Sequence, residues 1–287
     1  MPMIRLSPAV VLVAIVATGC HGESPSASPT SPSLTSSQPR PITITGVVRD
    51  QLQRPIRDAR LEVAEGPSSG LATVSDTQGQ FSIVATTASD RVALIVSRDG
   101  YETATVRLRA GEWPVYLRDT AALNFEGRAT IVVTADASCS QLPASLRTRS
   151  YTAALTPSTS TGAVMANPVL FVGDLNGADF YQGYSKMSLM AAHDAVRFNV
   201  SSWDAFNWWL EDDPIIERLT PTSHFSVSGT ATSAASNGQS TITAVLDGTF
   251  SYCAESKPGA QPLWAPTCAV PQVECTSAQH QLTMTRR

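Results

Sequence analysis

The chain has 287 residues, 43% hydrophobic and 15% charged, with 24 acidic against 20 basic side chains and a net charge of −4. That mild acidity argues against nucleic acid or an anionic lipid surface as the main partner, because both select basic surfaces. Lysine occurs only at Lys186 and Lys257, so nearly all positive charge is arginine.

Arg5 precedes an apolar run over residues 8–16, and Ala17-Thr18-Gly19-Cys20 follows it. A spanning helix needs about 20 apolar residues, so this run reads as an export signal ending in small residues. The stretch resembles the lipobox of bacterial lipoproteins, with Ala17 where Leu is more usual. The resemblance implies loss of residues 1–19, lipidation of Cys20 by palmitate-type acyl chains, and membrane contact through that anchor. His21 rather than Asp follows the cysteine, so the expected location is the cell envelope, at the outer membrane. Losing Arg5 with the leader would take the net charge to −5.

The segment that follows, to Pro41, is Ser, Pro and Thr with almost nothing apolar. It offers too little apolar surface to offset its ordering entropy, so residues 20–41 are expected to be a disordered tether. Stretched at about 3.1 Å per residue, it would reach roughly 65 Å.

Residues 42–118 alternate apolar and polar side chains over 42–48, 59–64, 71–75, 80–84, 92–97 and 103–108, with turn chemistry every 8–12 residues. That spacing predicts an antiparallel β-sandwich. The elements Gly46-Val47-Val48-Arg49-Asp50, Pro55-Ile56-Arg57-Asp58-Ala59, Asp76-Thr77-Gln78-Gly79-Gln80-Phe81-Ser82-Ile83 and Gly100-Tyr101 are similar to a carboxypeptidase regulatory-like domain. The resemblance implies a seven-stranded, prealbumin-like sandwich of the carbohydrate-binding-like kind, serving as an accessory module. It implies no peptidase: metallocarboxypeptidases need H-x-x-E, and none of His21, His193, His224 or His280 has Glu three residues on.

Residues 119–287 read as a second antiparallel β domain, a barrel or a large sandwich. Strands are expected over 125–136, 149–155, 191–200, 239–252 and 279–285, and Asn176-Gly177 signals a hairpin turn. Together the two domains predict an all-β chain. Cys139 with the Cys275–Arg287 terminus is similar to C-terminal domains of soil-bacterial lipoproteins, which imply no activity.

Four cysteines remain besides Cys20, an even number in an exported chain, and they suggest two disulfides. Three pairings are possible. The favoured one joins Cys253 to Cys268 around a Pro-rich excursion and Cys139 to Cys275 across the first and last strands of the second domain. Linear spacing gives no zinc pattern, and no cofactor is implied.

Gly66-Pro67-Ser68-Ser69-Gly70 matches G-x-S-x-G, but a nucleophile elbow needs a strand followed by a helix, and this one lies between strands. Asp174-Leu175-Asn176-Gly177-Ala178-Asp179 lacks the third ligand and closing Glu of a calcium loop. Glu211-Asp212-Asp213 are neighbours in a loop, not carboxylates facing across a cleft. His193-Asp194, His224 and His280 complete the acid–base set without a nucleophile at a recognised spacing.

Nine of the chain's 19 aromatic residues fall within 39 residues, from Phe171 to Trp209. Core burial is the commoner use of such residues, and an exposed sugar-binding platform the rarer. Trp208 and Trp209 cannot both face inward on one strand. Trp203, Trp208, Trp209, Tyr181 and Tyr184 are the ligand-binding candidates. The leading expectation is a non-enzymatic, lipid-anchored envelope protein that binds or scaffolds, with an envelope protein or a glycan as partner. A glycan- or apolar-ligand-binding barrel is the alternative, and an envelope hydrolase ranks last.

Overall fold

The computed structural model describes residues 38–158, 171–181, 183–200, 214–257 and 266–287. The leader, Cys20 and most of the tether lie outside the described residues, as do Trp203, Trp208, Trp209 and Glu211-Asp212-Asp213. Apart from a single 3-10 turn, Ala144–Leu146, the regular structure among the described residues is β.

The first domain is built from β1 (Arg40–Asp50), β2 (Arg60–Val63), β3 (Ala72–Val74), β4 (Gln80–Thr87), β5 (Arg91–Ser97), β6 (Ala104–Arg109) and β7 (Gly111–Leu117). They form two sheets, β4-β1-β7 and β3-β2-β5-β6. Alternate residues such as Ile44, Val48, Leu61, Leu94 and Val115 meet in one core between the sheets. The sequence reading has no strand over 111–117 and expects only antiparallel pairing, and both points are corrected. β7 runs parallel to β1, Ile44 opposite Gly111 through Asp50 opposite Leu117. Pro114 is tolerated because β7 is a sheet edge, where a missing N–H leaves no ladder bond broken.

The second domain comprises β8 (Gly127–Thr134), β9 (Thr148–Pro157), β10 (Phe171–Asn176), β11 (Asp179–Phe180), β12 (Lys186–Ala191) and β13 (Ala195–Val200). It continues with β14 (Ile215–Thr220), β15 (Ser223–Ala234), β16 (Thr241–Cys253), β17 (Ser256–Lys257), β18 (Thr267–Cys268) and β19 (Val273–Arg286). β8, β9, β10, β12, β13, β15, β16 and β19 pair antiparallel in chain order, and β19 returns to β8, so the sheet closes as an up-and-down barrel.

Inward positions are apolar, and Tyr151, Phe198, Phe225 and Phe250 are each at most 2% exposed. Eight strands enclose a space that side chains can fill, and here they fill it. Outward positions are polar: Thr241, Thr243, Gln281 and Thr285 are exposed, and Thr243 pairs with Thr283 across strands. A membrane-spanning barrel has the reverse arrangement, with an apolar band outside.

β15 serves two neighbours on one side, β14 along Ser223–Val227 and β13 along Gly229–Ala234. At the change-over Gly229 faces Gly248 of β16. A Cβ on Gly229 would lie 2.3 Å from the Asp247 carbonyl oxygen, and one on Gly248 would lie 2.1 Å from that of Ser228. Only paired glycines permit this corner.

Two sequence expectations change here. The strand over 191–200 divides into β12 and β13 about a turn at Ala192–Asp194, because Asp194 and His193 are drawn to the first domain. Asn176-Gly177 is a bend and not a hairpin: β10 pairs with β9 and β12, whereas β11 pairs with β14. The cysteines pair as Cys139–Cys275 and Cys253–Cys268.

A polar joint locks the two domains together. Gln51, fully buried, donates to the Ala191 carbonyl (2.7 Å) and accepts from the Asp119 N–H (3.0 Å). Asp50 accepts from Arg54 Nε at 2.6 Å, and Arg54 Nη1 reaches both Asp194 carboxylate oxygens at 3.0 Å. Leu52 packs with Met190 and Ala192 beside them. His193 Nδ1 lies 2.5 Å from Asp119 Oδ2, which also accepts the His193 backbone N–H. The hydrogen bond to Asp119 holds the His193 pKa above the ordinary 6.5, with Asp194 adding to it. Burial pushes Asp119 up, but His193 and the backbone N–H groups of Ala121 and His193 outweigh it and hold its carboxyl low.

The raised histidine contributes stability fully below its ordinary pKa and loses it as pH rises through the folded value. The depressed carboxyl contributes above its ordinary pKa and loses this only as pH falls through its own folded value. Between about pH 6 and about pH 8 the stability that His193 contributes should therefore fall. His224 and His280, with depressed values, act in the opposite sense, because unfolding lets them take up protons. Denaturant midpoints of the wild type and of His193→Ala should accordingly differ more at about pH 6 than at about pH 8.

Candidate functional site

The barrel has two unlike ends. The end carrying the Ala192–Asp194 turn abuts the first domain. The other end gathers Cys139, the bend after β10, the Thr220–Ser223 turn and the C-terminal end of β16. The groups of chemical interest lie at this far end.

A short strand pair sets them in place. β14 hangs from the first half of β15, β11 hangs from β14, and both reach across the barrel toward β9. Phe180 packs its ring 5.4 Å from that of Tyr151. Glu217 of β14, 3% exposed, accepts the Tyr151 hydroxyl at 3.0 Å and Arg149 Nε at 2.9 Å, and Arg149 Nη2 binds its second oxygen. Burial and the Glu217 charge together push the Tyr151 phenol far above its ordinary value, so it keeps its proton. The trio ties the cap to the barrel wall.

Outside the cap, Asp179, Tyr181, Arg218, Leu219, Thr220 and Pro221 line a cleft of about 520 Å³. The Arg218 guanidinium lies 4.5 Å above the Tyr181 ring, with Nη1 3.5 Å from Asp179 Oδ2. The turn from Tyr181 to Tyr184 clasps β14: Tyr181 N–H donates to the Ile216 carbonyl, and Ile216 N–H donates to that of Tyr184. An aromatic face, a guanidinium, a carboxylate and a hydroxyl thus converge on one depression. Of the sequence candidates, Tyr181 lines this cleft, while Tyr184 is 9% exposed and belongs to the packing beneath it.

Tyr181 also leads inward, its ring edge-on to His224 at 6.2 Å. His224 opens β15, directly opposite Cys253 on β16, and is 4% exposed. One of its ring nitrogens and the sulphurs of Cys253 and Cys268 lie within 4.8 Å of one another. Its Nδ1 is buried and has no hydrogen-bond partner among the described residues. Burial alone depresses its pKa, which disfavours the charged ring.

The remaining candidates have structural partners. His280 Nδ1 accepts the Asp136 N–H at 2.8 Å, its Nε2 faces the Gly248 carbonyl at 3.2 Å, and its ring packs on Phe250. Ser68 caps a turn by accepting the Thr86 N–H. Asp174 faces Lys186 at 3.8 Å, and Asp179 faces Arg218. The sequence reading missed a second depression, of about 430 Å³, lined by Val47, Arg49, Glu112, Trp113, Pro114 and Tyr116 on β1 and β7. It also missed the Glu217 trio, which joins residues 66 and 68 positions apart.

Comparison with known proteins identifies the first domain. Residues 43–126 match the carboxypeptidase regulatory-like domain. No curated protein matches the chain. Among solved structures, one similar chain is a Bacteroides fragilis protein described as membrane-associated and of unknown function. The two are 10% identical, with 87% of this chain and 98% of that one covered and a TM-score of 0.22, too low for the likeness to bear on fold or role.

Glu217→Ala would leave the Tyr151 hydroxyl and Arg149 without their acceptor. Stability should fall by roughly 3 kcal/mol, the lower end for a broken buried pair, because Arg149 keeps some contact with water. Replacing Arg149 with Met and Glu217 with Leu together should recover most of that loss in equilibrium denaturation.

Proposed function

We propose that this chain is a lipid-anchored envelope protein that binds or scaffolds rather than catalyses, and that its far barrel end is the recognition surface. The supporting observation is the order of parts along the molecule. The chain enters β1 at Arg40 and reaches the domain joint at Asp50, 11 residues later. That strand spans about 35 Å, so Arg40 stands one strand length from the joint. The buried joint holds the barrel by one end and leaves the cleft at its other end. An accessory sandwich and a Ser/Pro/Thr tether suit the same purpose, lifting a recognition surface clear of a membrane.

Intact-mass analysis of the protein taken from its native membrane tests the anchor. The expected species begins at Cys20 and carries acyl chains. A chain beginning at Met1, or an unmodified Cys20, overturns the reading.

A second reading, in which the recognised partner is a glycan, is favoured by the makeup of the cleft. Sugars are commonly held by an aromatic face flanked by planar polar groups, and Tyr181, Arg218, Asp179 and Thr220 offer these. An apolar ligand inside the barrel is less favoured, because the inward side chains already fill that space. A glycan array should yield binders whose affinity falls at least about tenfold in Tyr181→Ala, the loss of a hot-spot aromatic. Failure of the wild type to retain any glycan ends this reading.

A further inference from the structure

Buried polar side chains among the described residues are otherwise well partnered, which makes the corner formed by His224, Cys253 and Cys268 stand apart. The imidazole is almost wholly buried, with Nδ1 lacking a hydrogen-bond partner. Leaving such a nitrogen unsatisfied costs about 1–3 kcal/mol. Its nearest chemistry is soft: one ring nitrogen and two sulphur atoms within 4.8 Å of one another. Two thiolates and an imidazole on zinc, bonded at 2.0–2.3 Å in tetrahedral geometry, sit about 3.5–3.8 Å apart, within the 4.8 Å spread of this cluster. The residues come from three separate strands, β15, β16 and β18, so backbone register and not linear spacing assembles the set. The Glu255 carbonyl oxygen, 3.2 Å from Cys253 Sγ, is a further polar group at the rim.

We propose that reduction of the Cys253–Cys268 disulfide opens a metal site at this corner, in which both thiolates and the His224 imidazole bind a zinc-class divalent cation. The disulfide form binds poorly, because disulfide sulphurs are far weaker donors than thiolates. A dithiol reductant supplies two electrons and two protons. The S–S bond breaks, two thiols form, and the reductant leaves as its own disulfide. Metal entry then displaces both thiol protons, and the neutral imidazole donates its lone pair without further proton loss. Two thiolates balance the charge of the ion, so the buried site becomes neutral overall. Three protein ligands would leave one coordination position for an exogenous group.

Cobalt(II) titration of the full chain, before and after anaerobic treatment with a dithiol, tests this directly. The reduced chain should take up about one equivalent and develop the near-ultraviolet thiolate-to-cobalt band with tetrahedral visible absorption, and zinc should bleach both. The oxidised chain should show neither. His224→Ala should weaken cobalt binding at least about tenfold with an unchanged far-ultraviolet dichroism spectrum. The Cys253→Ser, Cys268→Ser double variant should abolish the band, and Cys139→Ser, Cys275→Ser should keep it. Equal uptake by oxidised and reduced chains, or indifference to His224→Ala, overturns the proposal. The second result would also identify metal captured by an unfolded, reduced chain. None of these readings depends on glycan binding or on the lipid anchor.

Discussion

The pairing of β19 with β8 is the constraint on which the second domain rests. It removes the last free edges of an eight-membered sheet and fixes which face of every strand looks inward. Once closed, the barrel must fill a narrow interior, and alternation delivers Ile131, Tyr151, Leu189, Phe198, Phe225, Phe250 and Leu282 to that space. Closure also forces a sharp corner where β15 changes neighbours, which explains two facing glycines in strands otherwise rich in Ser and Thr. The Cys139–Cys275 bond reinforces the same seam, since it ties the segment after β8 to β19.

Closure leaves both barrel ends to be managed, and the protein treats them differently. The near end is sealed by another domain through buried polar groups that are almost fully paired: Asp50, Gln51 and Asp119 each have two or more hydrogen bonds. Such a joint is directional, because each partner fits only one geometry, whereas the small apolar contact of Leu52, Met190 and Ala192 would tolerate sliding. The far end is covered by its own chain, through β11 and β14, with the Glu217 trio as the tie. A cap made of two short strands gives the molecule a surface of mixed chemistry that a full barrel rim would lack.

Much of this was legible in the sequence. Period-two alternation marked six of the seven strands of the first domain but only five of the twelve in the second, and the Pro-rich stretch between Cys253 and Cys268 pointed to a local bond. What escaped was whatever depends on partners remote in the chain. β7 contains Gly111 and Pro114 and earns its place only by lying beside β1, with Ile44 opposite Gly111 and Asp50 opposite Leu117. The division of β12 from β13 reflects Arg54, and no local signal at Ala192–Asp194 announces it. Asn176-Gly177 has hairpin chemistry, yet β10 already has both neighbours, so the turn sends the chain elsewhere. The candidate sites fared likewise: Tyr181 carried an aromatic signal, but Arg218, Glu217 and the His224 corner are assembled by register alone.

The contrast among the histidines shows how the far end differs from a merely structural one. His280 lies as deep as His224 and has the same depressed basicity, yet both of its nitrogens face backbone groups and its ring packs on Phe250. Ser226 and Ser251, also buried, hydrogen-bond to each other beside the corner. The surroundings therefore had the means to satisfy an imidazole: a serine or a backbone carbonyl turned inward would suffice. At His224 the neighbours supplied instead are two sulphur atoms and an aromatic edge, which are poor hydrogen-bond partners and good company for a soft cation. A residue whose burial is otherwise uncompensated is explained more economically by what its free nitrogen could hold than by packing, because a phenylalanine or leucine would fill the same volume without the penalty.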